Sequence, residues 1–435
     1  MLRNRVRSSP TVVAGGLDAS SLAARFRRVR ATTETLCRPL ATDDYSIQSM
    51  PDASPAKWHL AHTTWFFEEF VLQHSLAGYE FFDPAYRYLF NSYYEAVGPR
   101  HARAERGMLS RPTIEQIWAY RAYVDEEMQS LLDSDALLPE MHAVVTLGLH
   151  HEQQHQELLL TDIKHLFSRN PLRPAYAAAA APASRSPAPL AFVEFDGGLV
   201  EAGYIGGGFC FDNEQPRHRV FLEPFRIANR LTTNGEYLEF IRAGGYDRPD
   251  VWLSDGWAWV QREQCRRPLY WSDSLDEEFT LAGPRPLDPH APVCHLSFYE
   301  ADAFARWAGA RLPTEFEWEH VAAQAPLRGC FLEAGTWHPV AAAEQEEGSR
   351  NPAPVRQLFG DVWEWTASAY APYPGFRPLS GALGEYNGKF MVNQLVLRGG
   401  SCATPQSHIR VTYRNFFYPT ARWQFSGLRL AADVR

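Results

Sequence analysis

The sequence predicts an α+β chain of two unlike parts, a four-helix bundle followed by a loop-rich mixed domain. Three observations predict it. From Asp18 to about Phe167, apolar residues recur at helical spacing with few Gly or Pro to interrupt them. Residues 171–190 then form an Ala/Pro-rich stretch. From Phe192 onward, short β-prone pieces alternate with Gly-, Pro- and Asn-rich loops. A chain of 435 residues is long enough for two or three domains that each bury a core.

Residues 1–16 carry no periodicity and are expected to be disordered. Ser20 or Ser21 caps a first helix that runs to Cys37. A second helix runs from about Pro55 to Leu76. A longer connection, about 77–112, leads to a third helix from about Ile114 to Leu132, preceded by Thr113. Pro139 opens a fourth, through Met141 to Phe167, and Asn170-Pro171 stops it. The expected division is 17–170 for the bundle, 171–191 for a linker outside any core, and 192–435 for the second domain. In that domain one helix is expected from about Tyr299 to Ala308. A second starts at Thr314, whose hydroxyl and Glu317 make a capping box.

Composition narrows the function. A net charge of -9 argues against nucleic acid as a partner. Thirteen Trp suit either a binding cleft or a loop-rich fold that needs large side chains to fill it. The six cysteines are scattered with no CxxC pair, which is neither a disulfide framework nor a zinc site. Free thiols in a cytoplasmic protein are the reading. Arg3, Arg5 and Arg7 make the start basic, but no apolar core follows, so no signal peptide and no membrane span are expected. No obligatory protein partner is evident.

The chemistry starts at Leu149-His150-His151-Glu152-Gln153-Gln154-His155-Gln156-Glu157. His151 and His155 stand one turn apart on the fourth helix, about 6 Å from each other, close enough for one metal ion. Such pairs are common on helices and prove little alone. Here the neighbours Glu152, Gln153 and Gln154 are polar, while the pair's own face continues into Leu147, Leu158 and Leu159, so the histidines point inward. Buried neutral histidines need partners, and a metal satisfies two at once. Trp58-His59-Leu60-Ala61-His62 offers a third ligand. Glu157 lies roughly 200° around the helix from His155, so its carboxylate faces away. The spacing does not name the metal.

The second domain carries Ala291-Pro292-Val293-Cys294-His295-Leu296-Ser297, Arg311-Leu312-Pro313-Thr314-Glu315-Phe316-Glu317-Trp318-Glu319, Gly360-Asp361-Val362-Trp363-Glu364-Trp365-Thr366, Arg398-Gly399-Gly400-Ser401 and Gly427-Leu428-Arg429. This resembles the formylglycine-generating enzyme fold, a C-type-lectin-like domain. Most of these residues are scaffold in that fold. Its oxygenase members carry a cysteine pair for copper near Gly-Gly-Ser; here only Cys402 is present, which puts copper-thiol chemistry in doubt.

The first domain resembles the DinB-like metal-binding bundles. The fusion of the two resembles the sulfoxide synthases of ergothioneine biosynthesis. The resemblance implies iron(II) and O2, and a reaction that joins a thiol to the imidazole C2 of Nα-trimethylhistidine (hercynine). It implies His62, His151 and His155 as metal ligands; His59 precedes the position the family uses. It implies that Gln154 holds the hercynine imidazole and that Asn415 and Phe416, in Asn415-Phe416-Phe417-Tyr418, hold its carboxylate and trimethylammonium groups. Tyr93 or Tyr94 is implied as a proton donor, and Arg100 and Arg103 as partners of the thiol substrate's carboxylate. Members that use γ-glutamylcysteine carry charged residues where this chain has Phe417 and Ala421, so free cysteine is the expected sulfur donor. The related histidine-directed ovothiol enzymes often carry a methyltransferase domain, and the chain ends at Arg435 without one. A zinc-dependent DinB-type thiol transferase and a lectin-like binding protein are the rival readings.

Overall fold

This computed structural model describes residues 21–134, 136–178, 184, 186–342 and 355–434. The expected disordered residues 1–16 lie outside them.

Capping side chains set the bundle helices. Ser21 Oγ accepts from Ala24 N at 3.2 Å and opens α1, Leu22–Cys37. Helix α2, Ala56–Phe67, is buried along all twelve residues and passes into a π-helical turn at Glu68–Leu72. Glu68 and Glu69 on that turn anchor the connection that follows. Glu68 accepts from Phe82 N at 2.9 Å and from the hydroxyls of Tyr79 and Tyr120. Glu69 takes Arg87 in a two-point pair at 2.6 and 2.7 Å. Helix α3, Ile114–Asp133, opens on a capping box between Thr113 and Gln116. Helix α4, Pro139–Arg169, starts on Pro139 and runs 31 residues. It packs on α1 and α2.

Among its described residues the second domain holds thirteen short strands in chain order: β1 Phe192–Phe195, β2 Gly198–Ala202, β3 His218–Leu222, β4 Phe225–Ala228, β5 Glu277–Thr280, β6 Gly283–Pro286, β7 Gly329–Cys330, β8 Phe359–Gly360, β9 Trp363–Ala369, β10 Leu395–Arg398, β11 Asn415–Phe417, β12 Ser426–Gly427 and β13 Ala431–Asp433. The largest sheet has the order β11-β10-β9-β12. Four helices flank the strands: α5 Asn234–Arg242, α6 Ser254–Glu263, α7 Phe298–Trp307 and α8 Glu315–Ala322. The last two match the expected pair; α5 and α6 were not expected. With so little regular backbone, buried Trp318, Trp363 and Trp365 fill the core. Arginine–carboxylate pairs tie its loops, Arg398 to Glu315 and Glu319, and Arg429 to Glu364.

The expected linker departs from its reading at Tyr176. That residue is 4% exposed, takes Leu281 O with its backbone N–H at 2.8 Å, and donates its hydroxyl to Leu36 O on α1. A large aromatic with a polar tip pins both domains at once, which the Ala/Pro composition around it concealed. All six cysteines are free. No helix among the described residues is long and apolar enough to cross a membrane.

Candidate metal centre and interdomain cleft

Helix α4 is buried on three faces where it crosses the molecule. His151 and His155 face α2. Glu152 and Gln156 face α1 and α3. His150, Gln153, Gln154, Glu157 and Lys164 meet the second domain. Glu152 and Gln153, polar neighbours of the histidines, are therefore buried as well. Glu152 is fully buried, held by Arg30 Nη1 and Arg121 Nη2 at 2.8 Å each and by Thr33 Oγ1 at 2.7 Å. Burial would raise its carboxyl, but Arg121 and Arg30 overcome this and hold it at about 2.

His62, His151 and His155 converge, with their candidate ligand nitrogens all within 4.8 Å of one another. His62 Nε2 lies 3.1 Å from His151 Nε2. The His62 ring is held between Trp58 at 4.5 Å and Trp65 at 5.5 Å, both nearly parallel to it. Its Nδ1–H donates to Phe90 O at 2.6 Å, which leaves Nε2 bare and aimed at the cluster. The Arg106 guanidinium stacks on the far face of this column, 3.3 Å from the Trp58 ring centre.

His155 is oriented from behind. His59 Nε2 lies 3.0 Å from Asp162 Oδ2, which also accepts from Ser54 N at 2.8 Å. A carboxylate only accepts, so His59 carries its proton on Nε2 and receives the His155 Nδ1–H at 2.9 Å. His155 Nε2 is then the free nitrogen. His59 is thus an orienting partner of a candidate ligand.

Burial holds all three imidazoles neutral, with mutual repulsion adding to it for His62 and His155; His151 falls to about 3. Three neutral imidazoles with bare nitrogens pointing at one another, in a buried site, fit a resident metal cation. Tyr386 closes the cluster from the second domain, its ring 5.8 Å from His151 and its hydroxyl bonded to Gln154 Oε1. Gln154 Nε2 donates to Tyr413 at 2.6 Å.

The other expected residues sit at graded removes. Tyr94 is fully buried against Trp65 and Phe70. Tyr93 stacks on Tyr94 at 4.7 Å and reaches Tyr386 at 6.2 Å. Burial raises both phenols. The two tyrosines therefore meet the cluster through Trp65 and Tyr386. Glu385 clasps this strap, accepting from the backbone N–H of Glu95 and Ala96 at 3.1 and 2.8 Å. Phe416 stacks on Tyr370 at 4.0 Å and reaches Tyr93 through Phe390. Asn415 Oδ1 accepts from Phe416 N at 2.9 Å. Arg100 donates to Ser92 O and pairs with Glu95 at 3.0 Å, and Arg103 donates to Asp52 O; neither contacts the histidines. Arg106, Tyr386 and Tyr413 carried too little local signal to be singled out as binding residues. Arg106 ends the charged run that holds Arg100 and Arg103, and its place over Trp58 is a tertiary fact.

Comparison with known proteins gives two domain matches. Residues 25–159 match the DinB superfamily, and residues 177–347 and 332–434 match the sulfatase-modifying factor enzyme 1-like domain. Among similar proteins, the hercynine oxygenase of Mycobacterium tuberculosis is 34% identical over 95% of this chain and 99% of its own length. That of Mycolicibacterium smegmatis is 36% identical over 77% of this chain and 82% of its own. Ergothioneine biosynthesis protein 1 of Schizosaccharomyces pombe is 27% identical over 52% of this chain and 28% of its own.

Proposed function

We propose, from the premise that the chain belongs to the hercynine oxygenase family and is an oxygenase, that it is an iron(II)-dependent sulfoxide synthase joining hercynine to cysteine. The bond formed is between the imidazole C2 and the cysteine sulfur, giving hercynylcysteine sulfoxide. One oxygen atom of O2 enters the sulfoxide, and the other leaves as water with the C2 and thiol hydrogens.

The observation that carries this reading is the cluster of three neutral histidines at the seam of two domains, with the Gln154 amide bonded to Tyr386, whose ring lies 5.8 Å from His151. His62, His151 and His155 would hold the iron. The metal, when bound, supplies O2 activation and a binding point for thiolate and imidazole. Gln154 holds the hercynine imidazole. Asn415 donates to its carboxylate, and the Phe416 face holds its trimethylammonium group. Tyr93 or Tyr94 keeps its proton, because burial raises both phenols, and delivers it in the oxygen-dependent step. Arg100 or Arg103 pairs with the cysteine carboxylate. On this reading residues 17–170 ligate the metal and 192–435 roof the cleft.

Cysteine is the sulfur donor because Phe417 and Ala421 bring no charge to receive a γ-glutamyl group. The neighbouring Arg422 is partly buried and pairs with Glu300 at 3.3 Å. Leaving an ammonium and a carboxylate unpaired in the cleft costs on the order of 2–5 kcal/mol. Anaerobic reconstitution with iron(II), followed by O2, hercynine and either thiol, tests the reading. The expected product is hercynylcysteine sulfoxide by mass spectrometry, with O2 uptake matching it and kcat/KM favouring cysteine by roughly 30-fold or more. Firm zinc binding with no O2 uptake would instead mark a DinB-type transferase.

A further inference from the structure

We propose that His408, His150 and Tyr413 are positioning residues that fix which end of the Gln154 amide faces the cleft. The identity of the ligand so recognised rests on the reading above; the orientation itself rests on hydrogen bonds alone.

Four contacts make one unbranched chain across the domain seam. The Tyr386 hydroxyl donates to Gln154 Oε1. Gln154 Nε2 donates to Tyr413 Oη at 2.6 Å. Tyr413 Oη lies 3.0 Å from His408 Nε2, and His408 Nδ1 lies 3.0 Å from His150 Nδ1. Tyr386, Tyr413, His408 and His150 are each no more than 5% exposed.

Each hydroxyl and each neutral imidazole has one proton to give, so the direction of one bond sets the next. Because Gln154 donates into Tyr413, the Tyr413 proton goes to His408 Nε2. His408 then carries its own proton on Nδ1 and gives it to His150 Nδ1. The opposite polarity would reverse every bond and turn the NH2 of Gln154 toward Tyr386 and the cleft. No member can reverse alone without setting a buried donor against a donor.

The polarity held here turns Oε1, an acceptor, toward Tyr386, whose ring lies 5.8 Å from His151. An acceptor suits a ring that offers an N–H at that point, and an imidazole with one bare nitrogen carries its proton on the other. Two residues of the second domain, His408 and Tyr413, thereby set the recognition chemistry of a helix in the first. They act through Gln154 and need not touch the substrate.

Tyr413→Phe keeps the ring and removes the oxygen. His408→Leu removes the acceptor, and His408→Gln restores both an acceptor and a donor. The full chain, loaded with iron(II) without oxygen, is titrated with hercynine by calorimetry. In parallel, the Gln154 side-chain amide is followed by NMR in metal-free, 15N-glutamine-labelled protein. Tyr413→Phe and His408→Leu are expected to weaken hercynine binding about tenfold or more, with iron content and the cysteine KM unchanged. Gln154 amide protons should exchange faster in both, and His408→Gln should recover most of both losses. Unchanged hercynine affinity, or an unchanged Gln154 signal, in Tyr413→Phe overturns the proposal. If the wild type does not bind hercynine, the functional reading fails, and the Gln154 signal alone upholds or overturns the orienting chain.

Discussion

Glu152 and Glu157 are both buried on α4, roughly 140° apart around its axis, and they are treated in opposite ways. Glu152 looks into the bundle and meets two guanidinium groups. Glu157 looks into the second domain and meets only neutral donors: Trp363 Nε1 at 2.8 Å, Ser401 Oγ at 2.5 Å and Thr404 Oγ1 at 2.7 Å. Burial accordingly raises the Glu157 carboxyl, while Arg121 and Arg30 depress that of Glu152. The difference shows where the chain allows standing charge. Inside each domain several buried charges are paired, as Glu152 is with Arg30 and Arg121 and Glu364 is with Arg429. Along the α4 seam the bonds are neutral, as in Gln153 to Ser407 at 2.7 Å, and even Lys164 meets a histidine, His295, at 2.7 Å.

The comparison breaks most visibly at Glu152. Glu152→Ala removes the carboxylate that Arg30 and Arg121 share, leaving Arg30 with Asp125 at 2.7 Å and Arg121 with Glu34 at 3.5 Å, and is expected to cost about 3 kcal/mol in urea unfolding. A loss under about 1 kcal/mol would mean that Asp125 and Glu34 hold the two arginines well enough without it. Asp361 extends the neutral-donor class into the second domain. Its carboxylate accepts from Val340 N at 2.9 Å, and burial raises it from 3.8 to about 7. A carboxyl raised on folding favours the folded state below pH 4, and that contribution is lost as pH climbs through about 7. Asp361→Asn should therefore be neutral near pH 4 and stabilising by on the order of 2–4 kcal/mol at pH 8. Parallel Tm-versus-pH curves for the two proteins would refute it.

Asp162→Asn and His59→Phe test the third face of the helix, where a charged group orients a ligand from one residue away. Each is expected to weaken metal binding about 10–100-fold, roughly 1.4–2.8 kcal/mol, without abolishing it. Competition with a chelator of known affinity reads this directly, and full loss in His59→Phe would make His59 a ligand. The smallest effect belongs to Glu157→Gln. The Ser401 and Thr404 hydroxyls can turn to accept from the new amide, so the cost should stay under about 1 kcal/mol by denaturation. A cost equal to that of Glu152→Ala would erase the distinction between the two glutamates.

Local signals carried much of the architecture. The caps Ser21, Thr113 and Thr314 and the proline at 139 fixed helix starts, because a cap is written within four residues. The capping box from Thr233 to Glu236 opens α5 in the same way and was legible but passed over among loop-forming neighbours. Helix α6, with no side-chain cap, had no such mark. His151 and His155 were readable from spacing, and His62 from resemblance. Glu152 was not readable as a buried anion, since Arg30 and Arg121 come from two other helices. The Tyr413–His408–His150 chain joins residues more than 250 positions apart and leaves no periodic trace.

The three working faces of α4 also constrain the gene. A single inserted codon between Leu147 and Lys164 would turn everything beyond it by about 100° and carry it 1.5 Å along the axis. Ligands would then face the arginines' side, and the seam residues would lose their hydroxyl partners. Seven codons would bring the faces back to within about 20° but shift them by roughly 10 Å. No insertion or deletion in this stretch is silent, so its reading frame is frozen in length as well as in phase. Variation in length belongs before Pro139 and after Arg169, where the helix ends.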